Sequence, residues 1–427
     1  MEEYVVNQYL TAKSFKTTSH NRNTRSMIGH AATHFASAQL EGLMAVYARP
    51  LGGRGVEIEL SKKHSYRVTD FVRCSYLGLD NHPKIVEGAI AAVQNHGSLH
   101  WSCARTRLNF NLIGDLEEAL SRLFSARVIT YSSVLAANMG ALPLLASGHL
   151  TNKHKPLIVF DRVAHATLAF HKAAIAEETE VTTIPHNDLS ALEAICREHG
   201  NVAYVCDGIY SMGGKAPIED LLALQKRYGL FLYIDDAHGT SLFGKNGEGF
   251  ARSKIPGELG ERTIVAASLG KGFGASGGML MLGTQAQEDL FRSFAIAHAF
   301  SASPNLAAIG AALASARLHQ TAELAELQTR LQDRLALFDS LIATGLEGPL
   351  PIRMITIGDE LMTIGAAKAI LDGGYYVSAV FFPTVAKGRA GLRVCPTAGH
   401  TVDEIRGLCT ILREVLHDSV APPANKQ

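Results

Sequence analysis

The sequence has little of what would place it in a specialised class of protein. Charged residues make up 19% and aromatic residues 7% of its 427 residues, and 40 Lys and Arg balance 40 Asp and Glu. A chain of zero formal net charge has no bulk attraction for nucleic acid or an anionic membrane, so any anion must bind at a local site. We therefore expect no nucleic-acid partner.

Cysteines are few and apolar runs are short. The six cysteines are scattered without a CxxC pair, which favours reduced thiols over a disulfide framework or a zinc site. No apolar run has the length of a bilayer-spanning helix, and the N-terminus lacks the basic-then-apolar order of a signal peptide. The histidine pairs at helical spacing lack the Glu of an HExxH motif. We expect a cytoplasmic protein with no bound metal and no stable membrane insertion.

Short β-rich runs alternate with helical patterns between about residue 80 and residue 320. This alternation predicts a mostly parallel sheet covered by helices on both faces, with ligands at the carboxyl ends of its strands. The predicted strands span residues 128–131, 157–160, 203–206, 230–234, 263–267 and 279–282.

A long polar helical pattern at 323–341 leads into a smaller unit. Its predicted elements are strand, helix, strand, strand and helix, at 352–357, 361–371, 376–382, 391–395 and 402–416. This order is typical of a small α+β domain. The sequence thus predicts three parts: an N-terminal arm and segment (1–74), a large domain (75–320) and a small C-terminal domain (321–427). Apolar residues of the arm are expected to pack on a partner subunit.

A glycine-rich segment follows the predicted strand at 263–267. Lys271 lies in it, flanked by Gly270 and Gly272 and followed by further glycines. Glycines allow close approach of backbone and a bulky ligand, and an amine in such a pocket can lose its proton and form an imine with an aldehyde cofactor. The alternative is a phosphate-binding loop whose lysine is a counter-ion, although the GxxxxGK[ST] spacing is absent.

Two polar residues follow the predicted strand at 230–234. Asp235 comes directly after it, and His238 lies three residues later. Pyridoxal 5'-phosphate (PLP) withdraws electrons only while its pyridine nitrogen is protonated, and a carboxylate partner secures that state. An aspartate that only caps the following turn is the alternative. Together with Lys271, the pair favours a PLP site.

At these residues the sequence resembles the α-oxoamine synthases, a family of fold-type-I PLP enzymes. The DDAHG signature is present at Asp235 to Gly239, and the Ser-Leu-Gly-Lys-Gly-Phe-Gly signature at Ser268 to Gly274. The resemblance extends from about Ser75 to about Arg406. It implies an α/β aminotransferase-like fold, with a mostly parallel seven-stranded sheet in the large domain and a small α+β C-terminal domain. Further matching motifs are Tyr76-Leu77-Gly78-Leu79 with His82-Pro83, Ala136-Ala137-Asn138, Asp161 with His165-Ala166, His186-Asn187-Asp188 and Tyr210-Ser211-Met212-Gly213.

The resemblance implies four catalytic residues. Lys271 would hold PLP as a Schiff base and later move the substrate α-proton. Asp235 would pair with the pyridine nitrogen, and His238 would hydrogen-bond the phenolic oxygen. His165 would stack on the ring, with a buried structural histidine as the alternative.

The same resemblance implies further cofactor-binding residues. Hydroxyl and backbone N–H groups before the helix that contains Asn138 would bind the phosphate, as helix N-termini bind anions. Two serines, at 301 and 303, would reach the phosphate of a neighbouring subunit, so we expect a homodimer with shared active sites. For Asp207 and Ser211, which would line the ring, a strand-end capping role is the alternative. The set comprises Ser132, Ser133, Val134, Asp207, Ser211, Ser268, Ser301 and Ser303.

Substrate binding would involve Arg393 and Asn138. Gly391-Leu392-Arg393 matches the family strand whose arginine binds the amino-acid carboxylate, which the guanidinium fork fits in a bidentate manner. A surface charge is the alternative for this arginine, but Lys387 and Arg389 are better candidates for that role.

The substrate side of the predicted site departs from the family pattern. Cys74 stands where the family usually has Asn, and the segment 97–107 replaces its glycine-rich stretch. Val134 and Leu135 replace a glycine and an aromatic residue. Apart from Val134, the residues expected to bind PLP are kept, while the substrate walls are changed. The substrates of better-known members are therefore not carried over to this chain.

The resemblance implies a PLP-dependent acyltransferase. It would condense an amino acid with an acyl thioester, on coenzyme A or an acyl carrier protein, in a Claisen-type reaction. A β-keto acid formed in this way would lose carbon dioxide to give an α-amino ketone. An aminotransferase or aldolase on the same fold is the alternative. A regulatory subunit without activity is a third reading, which Lys271, Asp235 and His238 disfavour.

Overall fold

Three β-sheets organise the part of the chain that the structure describes. The computed structural model describes residues 24–61, 64–101, 104–346 and 348–420. The arm up to residue 23 and Cys103 lie outside the described residues. The strands are β1 Tyr47–Gly52, β2 Gly55–Ser61, β3 His64–Asp70, β4 Arg127–Tyr131, β5 Leu157–Asp161, β6 Val181–Ile184, β7 Val202–Asp207, β8 Phe231–Asp235, β9 Thr263–Ser268, β10 Gly278–Leu282, β11 Arg353–Gly358, β12 Tyr375–Tyr376, β13 Ser378–Val380 and β14 Ala390–Val394.

Helices fill most of the connections. Longer ones cover the sheets, and four single-turn helices lie in loops around the central sheet. The α-helices are Thr24–Leu40, Pro83–His96, Asn111–Phe124, Val134–Ala146, Ala166–Ala169, Lys172–Ile175, Leu189–Glu198, Ile218–Tyr228, Phe250–Ser253, Gln285–Phe294, Ile296–Ala299, Leu306–Leu318, Ala322–Leu341, Glu360–Asp372 and Val402–Val420. No helix in the described ranges is both long and apolar enough to cross a membrane.

A seven-stranded sheet forms the centre of the molecule. Its strand order is β4-β10-β9-β8-β7-β5-β6. Neighbouring strands from β9 to β6 run parallel, and β10 is antiparallel to both β4 and β9. Every residue of β7, β8, β9 and β10 is buried, as expected where helices cover both faces. The predicted fold class, with its mostly parallel seven-stranded sheet, is confirmed.

Strand β6 is the one member of this sheet that the sequence pattern did not predict. It lies at the edge of the sheet, and of its residues Val181 and Ile184 are buried while the two threonines between them are not. A four-residue run with a polar centre gives too weak an apolar signal to be recognised as a strand.

The parallel register brings polar residues to one edge of the central sheet. Asp207 at the end of β7 lies beside Asp235 at the end of β8, and Asp235 in turn lies beside Ala266 on β9. Ser268 ends β9. Because parallel strands finish on the same side, residues far apart in the sequence meet at this edge.

A second core combines the two ends of the described chain. Phe71 and Leu43 belong to the same buried cluster as Phe338, Leu392 and Leu412. Apolar residues before position 74 thus pack on the C-terminal part of their own chain, and packing of the arm on a partner stays a prediction. The three-part division stays a prediction as well.

Two small sheets surround that core. One has the order β1-β2-β3-β12 and the other the order β11-β14-β13. The single strand predicted at 376–382 is therefore two short strands in different sheets. The chain passes from β12 to β13 at the buried Val377.

Candidate active site

The glycines around Lys271 allow backbone contacts that no other residue would. A Cβ on Gly278 would lie 2.4 Å from the carbonyl carbon of Ser133 and from the nitrogen of Val134. A Cβ on Gly272 would lie 2.7 Å from the carbonyl oxygen of Thr240. The glycine-rich segment that carries Lys271 is thereby packed against the first turn of helix Val134–Ala146 and the loop after β8.

Lys271 is an amine in a largely enclosed position. Its Nζ lies 2.8 Å from Nε2 of His238. Burial is the main cause that lowers the pKa of Lys271, although the charge of Asp235 opposes it. A lowered pKa increases the neutral fraction of the amine, and the neutral form is the one that reacts with an aldehyde.

His238 links Lys271 to a tyrosine. Its Nδ1 lies 2.6 Å from Oη of Tyr76, and burial holds the pKa of His238 well below its usual range. As a neutral imidazole it bonds Lys271 through Nε2 and Tyr76 through Nδ1, with one ring nitrogen donating and the other accepting. Its predicted hydrogen bond to a cofactor phenolic oxygen stays a prediction. The sequence pattern included Tyr76 in a motif but gave it no role.

Asp235 is held in place by two donors. Its Oδ2 accepts from Nδ2 of Asn138 at 3.1 Å, and its Oδ1 accepts from the backbone nitrogen of Ala237 at 3.1 Å. Tyr233 donates to Oδ1 of Asn138 at 2.7 Å. Asn138 therefore lies where it orients the carboxylate of Asp235, and its predicted contact with substrate stays a prediction.

His165 and Asp207 lie next to Asp235. The backbone nitrogen of His165 donates to Oδ1 of Asp207 at 3.0 Å, and Nδ1 of His165 accepts from the backbone nitrogen of Thr167 at 3.2 Å. Burial lowers the pKa of His165, and burial together with the charge of Asp235 raises the pKa of Asp207. His165 is thus a neutral ring with its proton on Nε2. Sequence reasoning missed Thr167, which has no distinctive spacing.

The serines predicted to bind phosphate fall into two groups. Ser133 is the N-cap of helix Val134–Ala146, where its hydroxyl accepts from the backbone nitrogen of Ala136 at 3.1 Å. Ser132 and Ser133 are exposed, and Ser268 accepts from the backbone nitrogen of Gly270 at 3.1 Å. The free N–H groups of this first helical turn, with the nearby hydroxyls, form a site suited to an anion.

The second group is the pair Ser301 and Ser303, which precede helix Leu306–Leu318. Ser303 donates to the carbonyl oxygen of Pro304 at 2.8 Å. Within the described ranges, neither serine forms a hydrogen bond with Ser132, Ser133 or Ser268. Their predicted reach to the phosphate of a neighbouring subunit stays a prediction.

Arg393 approaches the site from β14. It is 7% exposed; its Nε donates to the carbonyl oxygen of Ser211 at 2.7 Å, and its Nη2 lies 3.6 Å from Sγ of Cys74. Its charge acts on Lys271, His165 and His238. We call Cys74, Ser211 and Arg393 the arginine face, and Asp235, His238 and Lys271 the catalytic face.

Three other cationic side chains are placed differently from Arg393. Lys387 and Arg389 are exposed. Arg105 is buried, with its Nη2 3.0 Å from Oε1 of Glu117 and its Nη1 2.6 Å from the carbonyl oxygen of Thr130. The charge of Arg105 is therefore already paired, whereas the charge of Arg393 acts on Lys271.

The residues of the catalytic face, together with His165 and the first turn of helix Val134–Ala146, fit PLP. The set provides an amine of lowered pKa, a carboxylate fixed by two N–H donors, neutral imidazoles, and a helix N-terminus brought close by Gly278. These are the groups that PLP needs for covalent attachment, for ring protonation and for binding of its phosphate.

Comparisons with known proteins agree with this geometry. The family model of the aminotransferase class I and II matches residues 71–412. The chain is 31% identical over 381 residues to the 8-amino-7-oxononanoate synthase of Maricaulis maris, covering 87% of this chain and 92% of that one. It is 30% identical over 377 residues to that of Marinomonas sp., covering 84% and 89%. The chain belongs to the α-oxoamine synthase family. As an α-oxoamine synthase it is a PLP-dependent acyltransferase.

Solved structures show the same fold. The serine palmitoyltransferase of S. paucimobilis, solved with PLP bound, superposes with a TM-score of 0.80 at 20% identity, covering 93% of this chain and 99% of that one. The serine palmitoyltransferase of Sphingomonas wittichii gives a TM-score of 0.80 at 19% identity, covering 94% and 100%. The 8-amino-7-oxononanoate synthase of Francisella tularensis gives 0.65 at 22%, covering 83% and 99%.

Proposed function

We propose that this α-oxoamine synthase condenses an amino acid with an acyl thioester, on coenzyme A or an acyl carrier protein, and releases carbon dioxide and an α-amino ketone. The observation that carries the proposal is that Arg393 faces Lys271 across one site, so that its charge acts on the amine. A guanidinium at this place suits the carboxylate of an amino acid whose amino group lies near Lys271.

Lys271 is the group that moves protons at the substrate α-carbon. PLP, when bound, supplies the electron sink that makes the α-proton acidic. With an amino acid bound, the neutral Nζ of Lys271 would be the group in place to accept that proton. Its lowered pKa keeps it available as a base, and His238 at 2.8 Å holds it in position.

Asp235 and Arg393 have separate tasks in this scheme. Asp235, oriented by Asn138 and Ala237, is the carboxylate that would keep the pyridine nitrogen protonated. Arg393, whose Nε is fixed by the carbonyl of Ser211, would hold the substrate carboxylate. Fixing that carboxylate sets the angle of the bond that breaks relative to the cofactor ring, which matters for the rate as well as for binding.

Release of thiol from an acyl thioester tests the proposal. The PLP-loaded enzyme is mixed with candidate amino acids and acyl-coenzyme A or acyl carrier protein, and free thiol and carbon dioxide are measured. Thiol should appear only when both substrates are present. Lys271→Ala should abolish it, whereas Lys226→Ala, on an exposed position of helix Ile218–Tyr228, should not. Formation of a 2-oxo acid without thiol release would instead indicate an aminotransferase, and cleavage of a β-hydroxy amino acid an aldolase.

We also propose that the enzyme is a homodimer with shared active sites. Phe300, which directly precedes Ser301, is 80% exposed, and Phe294 is 70% exposed. Leu99 and Trp101 are also exposed, and the carbonyl oxygen of Leu99 accepts from the backbone nitrogen of Leu306 at 3.1 Å. These neighbouring segments form an apolar surface of the kind that a second copy of the chain would cover.

Mixed dimers test this arrangement. A mixture of Lys271→Ala with a Ser301→Ala/Ser303→Ala double variant should regain part of the activity that each lacks. One of the two sites in a mixed dimer would carry both changes and the other neither. Sedimentation should show a dimer. An enzyme active as a monomer at high dilution would contradict the proposal.

We place the enzyme in the cytoplasm. Buried free thiols such as Cys196, Cys206 and Cys409 are typical of proteins of that reducing compartment. Fractionation of the producing cells would test the location.

A further inference from the structure

Ser241 has a backbone conformation that a serine rarely adopts. It lies three residues after His238 in the loop that follows β8, is fully buried and has a φ of 73°. A residue with a Cβ is strained in this left-handed region and stays there only where its surroundings hold it. The neighbours of Ser241 must therefore fix its conformation.

The polar groups of Ser241 are all hydrogen-bonded. Its backbone nitrogen donates to the carbonyl oxygen of Gly247 at 2.9 Å, and its carbonyl oxygen accepts from Nε2 of Gln328 at 2.9 Å. Its Oγ lies 2.8 Å from Nε2 of His319. The bond to His319 is the one that fixes the side chain.

His319 directly follows helix Leu306–Leu318 and also reaches the segment of Lys271. Nδ1 of His319 lies 2.8 Å from the carbonyl oxygen of Ser315. Oγ of Ser315 donates at 2.6 Å to the carbonyl oxygen of Phe273, two residues after Lys271. The rings of His319 and Phe273 are in contact, with their centroids 4.5 Å apart. One buried helix end therefore contacts both segments that carry the catalytic face.

The partners of His319 determine which of its ring nitrogens carries the proton. A carbonyl oxygen can only accept, so Nδ1 donates to Ser315. Burial lowers the pKa of His319 to about 4, so the ring is neutral at neutral pH. Nε2 is then an acceptor, and the hydroxyl of Ser241 donates to it. A phenyl ring in this place could fill the space but could not accept that bond.

The two segments touch each other beside Ser241. A Cβ on Gly272 would lie 2.7 Å from the carbonyl oxygen of Thr240 and 3.3 Å from Cβ of Ser241. Nζ of Lys271 lies 2.8 Å from Nε2 of His238. Because Ser241 packs on the residue after Lys271 and lies three residues from His238, a shift of Ser241 would change how the two catalytic side chains meet.

We propose that His319 is a positioning residue of the catalytic face: by its hydrogen bond to Ser241 it holds the loop of His238 against the segment of Lys271. Loss of this bond lets Ser241 leave the left-handed region and loosens the contact between His238 and Lys271. Lys271 is then less enclosed, so its pKa moves up towards that of an ordinary lysine. The consequence for turnover rests on the proposed function, whereas the effect on Lys271 does not.

Two substitutions of Ser241 separate the hydrogen bond from the backbone conformation. Ser241→Ala and Ser241→Gly both remove the hydroxyl, but alanine keeps a strained Cβ, whereas glycine adopts a φ of 73° freely. We expect Ser241→Ala to disturb the loop and Ser241→Gly to preserve it. His319→Phe keeps the size of the ring and loses the bond, so it should act like Ser241→Ala. Addition of Ser241→Gly to His319→Phe should restore the loop.

The reactivity of Lys271 reports the position of the loop without turnover. The full-length protein, freed of PLP, is labelled with limiting acetic anhydride between about pH 6 and pH 11, and peptide mapping follows Lys271 and the exposed Lys226. In Ser241→Ala and His319→Phe, the labelling midpoint of Lys271 should rise by about half a pH unit or more. Covalent attachment of added PLP, followed by absorbance, should slow by about threefold or more. Labelling of Lys226 should be the same in every variant.

The pattern across the variants decides the question. Ser241→Gly and the double variant should behave like the natural protein. Unchanged Lys271 values in Ser241→Ala would overturn the proposal, and so would equal losses in Ser241→Ala and Ser241→Gly, since the hydroxyl would then not act by holding the backbone. Denaturant unfolding shows whether each variant is folded, and the Ser241 pair gives the answer if His319→Phe is not.

Failure of this proposal is distinct from failure of the proposed function. Neither lysine labelling nor PLP attachment uses an amino acid or an acyl thioester. The thiol-release assay tests the reaction separately.

Discussion

The catalytic face and the arginine face are built in different ways. Asp235 ends β8 and Lys271 follows β9, the adjacent parallel strand of the same buried sheet, so the register of the sheet brings them together. Cys74, Ser211 and Arg393 come from three distant segments that meet only through tertiary packing. The first face keeps the motifs of the α-oxoamine synthases, whereas the second keeps Ser211 and Arg393 and departs from those motifs at Cys74. The sheet thus preserves the cofactor chemistry while the contacts around the substrate are free to vary.

The largest expected effect is on the catalytic face. Asp235→Asn should fold and bind PLP but lose turnover by about 10²–10³, because a neutral amide cannot hold the pyridine nitrogen protonated. Steady-state kinetics, with PLP content from absorbance, measures this. Asp359→Asn is a matched control, since asparagine also serves as an N-cap, as Asp359 does for helix Glu360–Asp372. Near-normal turnover of Asp235→Asn would mean that another group protonates the ring.

A smaller effect is expected on the arginine face. Arg393→Lys should weaken amino-acid binding by about tenfold or more, because loss of one arm of a charged bidentate pair costs about 1.5–3 kcal/mol. Spectroscopic titration with the amino acid measures it. The exposed Arg389→Lys and Lys387→Ala should change little. Sensitivity at Arg389 and indifference at Arg393 would show that the arginine face is wrongly assigned.

The contact between Gly278 and the first turn of helix Val134–Ala146 gives a third prediction. Gly278→Ala should lower the free energy of unfolding by about 1–3 kcal/mol and weaken PLP binding, because the added Cβ would lie 2.4 Å from backbone atoms of Ser133 and Val134. Denaturant unfolding and cofactor titration measure both. Gly114→Ala, in a helix with nothing within 4 Å, is the control and should be neutral or stabilising. Equal effects at the two positions would exclude this close packing.

The smallest effect concerns a histidine behind the catalytic face. Nε2 of His319 lies 2.8 Å from Oγ of Ser241, and burial lowers the pKa of His319 to about 4. The unfolded chain takes up this proton near the ordinary pKa of about 6.5, so the stabilisation is complete above that pH and is lost as the pH falls towards 4. His319→Gln should remove up to about 1.4 kcal/mol per pH unit from the slope of unfolding free energy across that range.

Unfolding curves between pH 4 and pH 7 measure that slope. His298 and His400 also have a lowered pKa because of burial, so part of the slope should remain in the variant. A slope equal to that of the natural protein would mean that His319 is not the group that titrates.

The sequence predicted the catalytic face better than it predicted the contacts around it. Lys271, Asp235 and His238 were recognisable because strand-end residues of a parallel sheet must converge, whatever the details of packing. Tyr76 and Thr167 were missed, since which side chain reaches a histidine depends on loop conformations that no periodicity records. The contact between the sulfur of Cys74 and Arg393 joins residues that are 319 positions apart in the sequence. Such a contact leaves no local pattern to read.

The pairing of β12 with β3 affects how the chain is made. Tyr375 and Tyr376 complete a sheet that begins at Tyr47, so strands β1 to β3 lack their last neighbour until about 300 further residues have been synthesised. The central sheet, whose strands lie between residues 127 and 282, has no such delay. During synthesis the central sheet can therefore form first. The sheet of β1, β2 and β3 keeps an unpaired edge at β3 until β12 has been made.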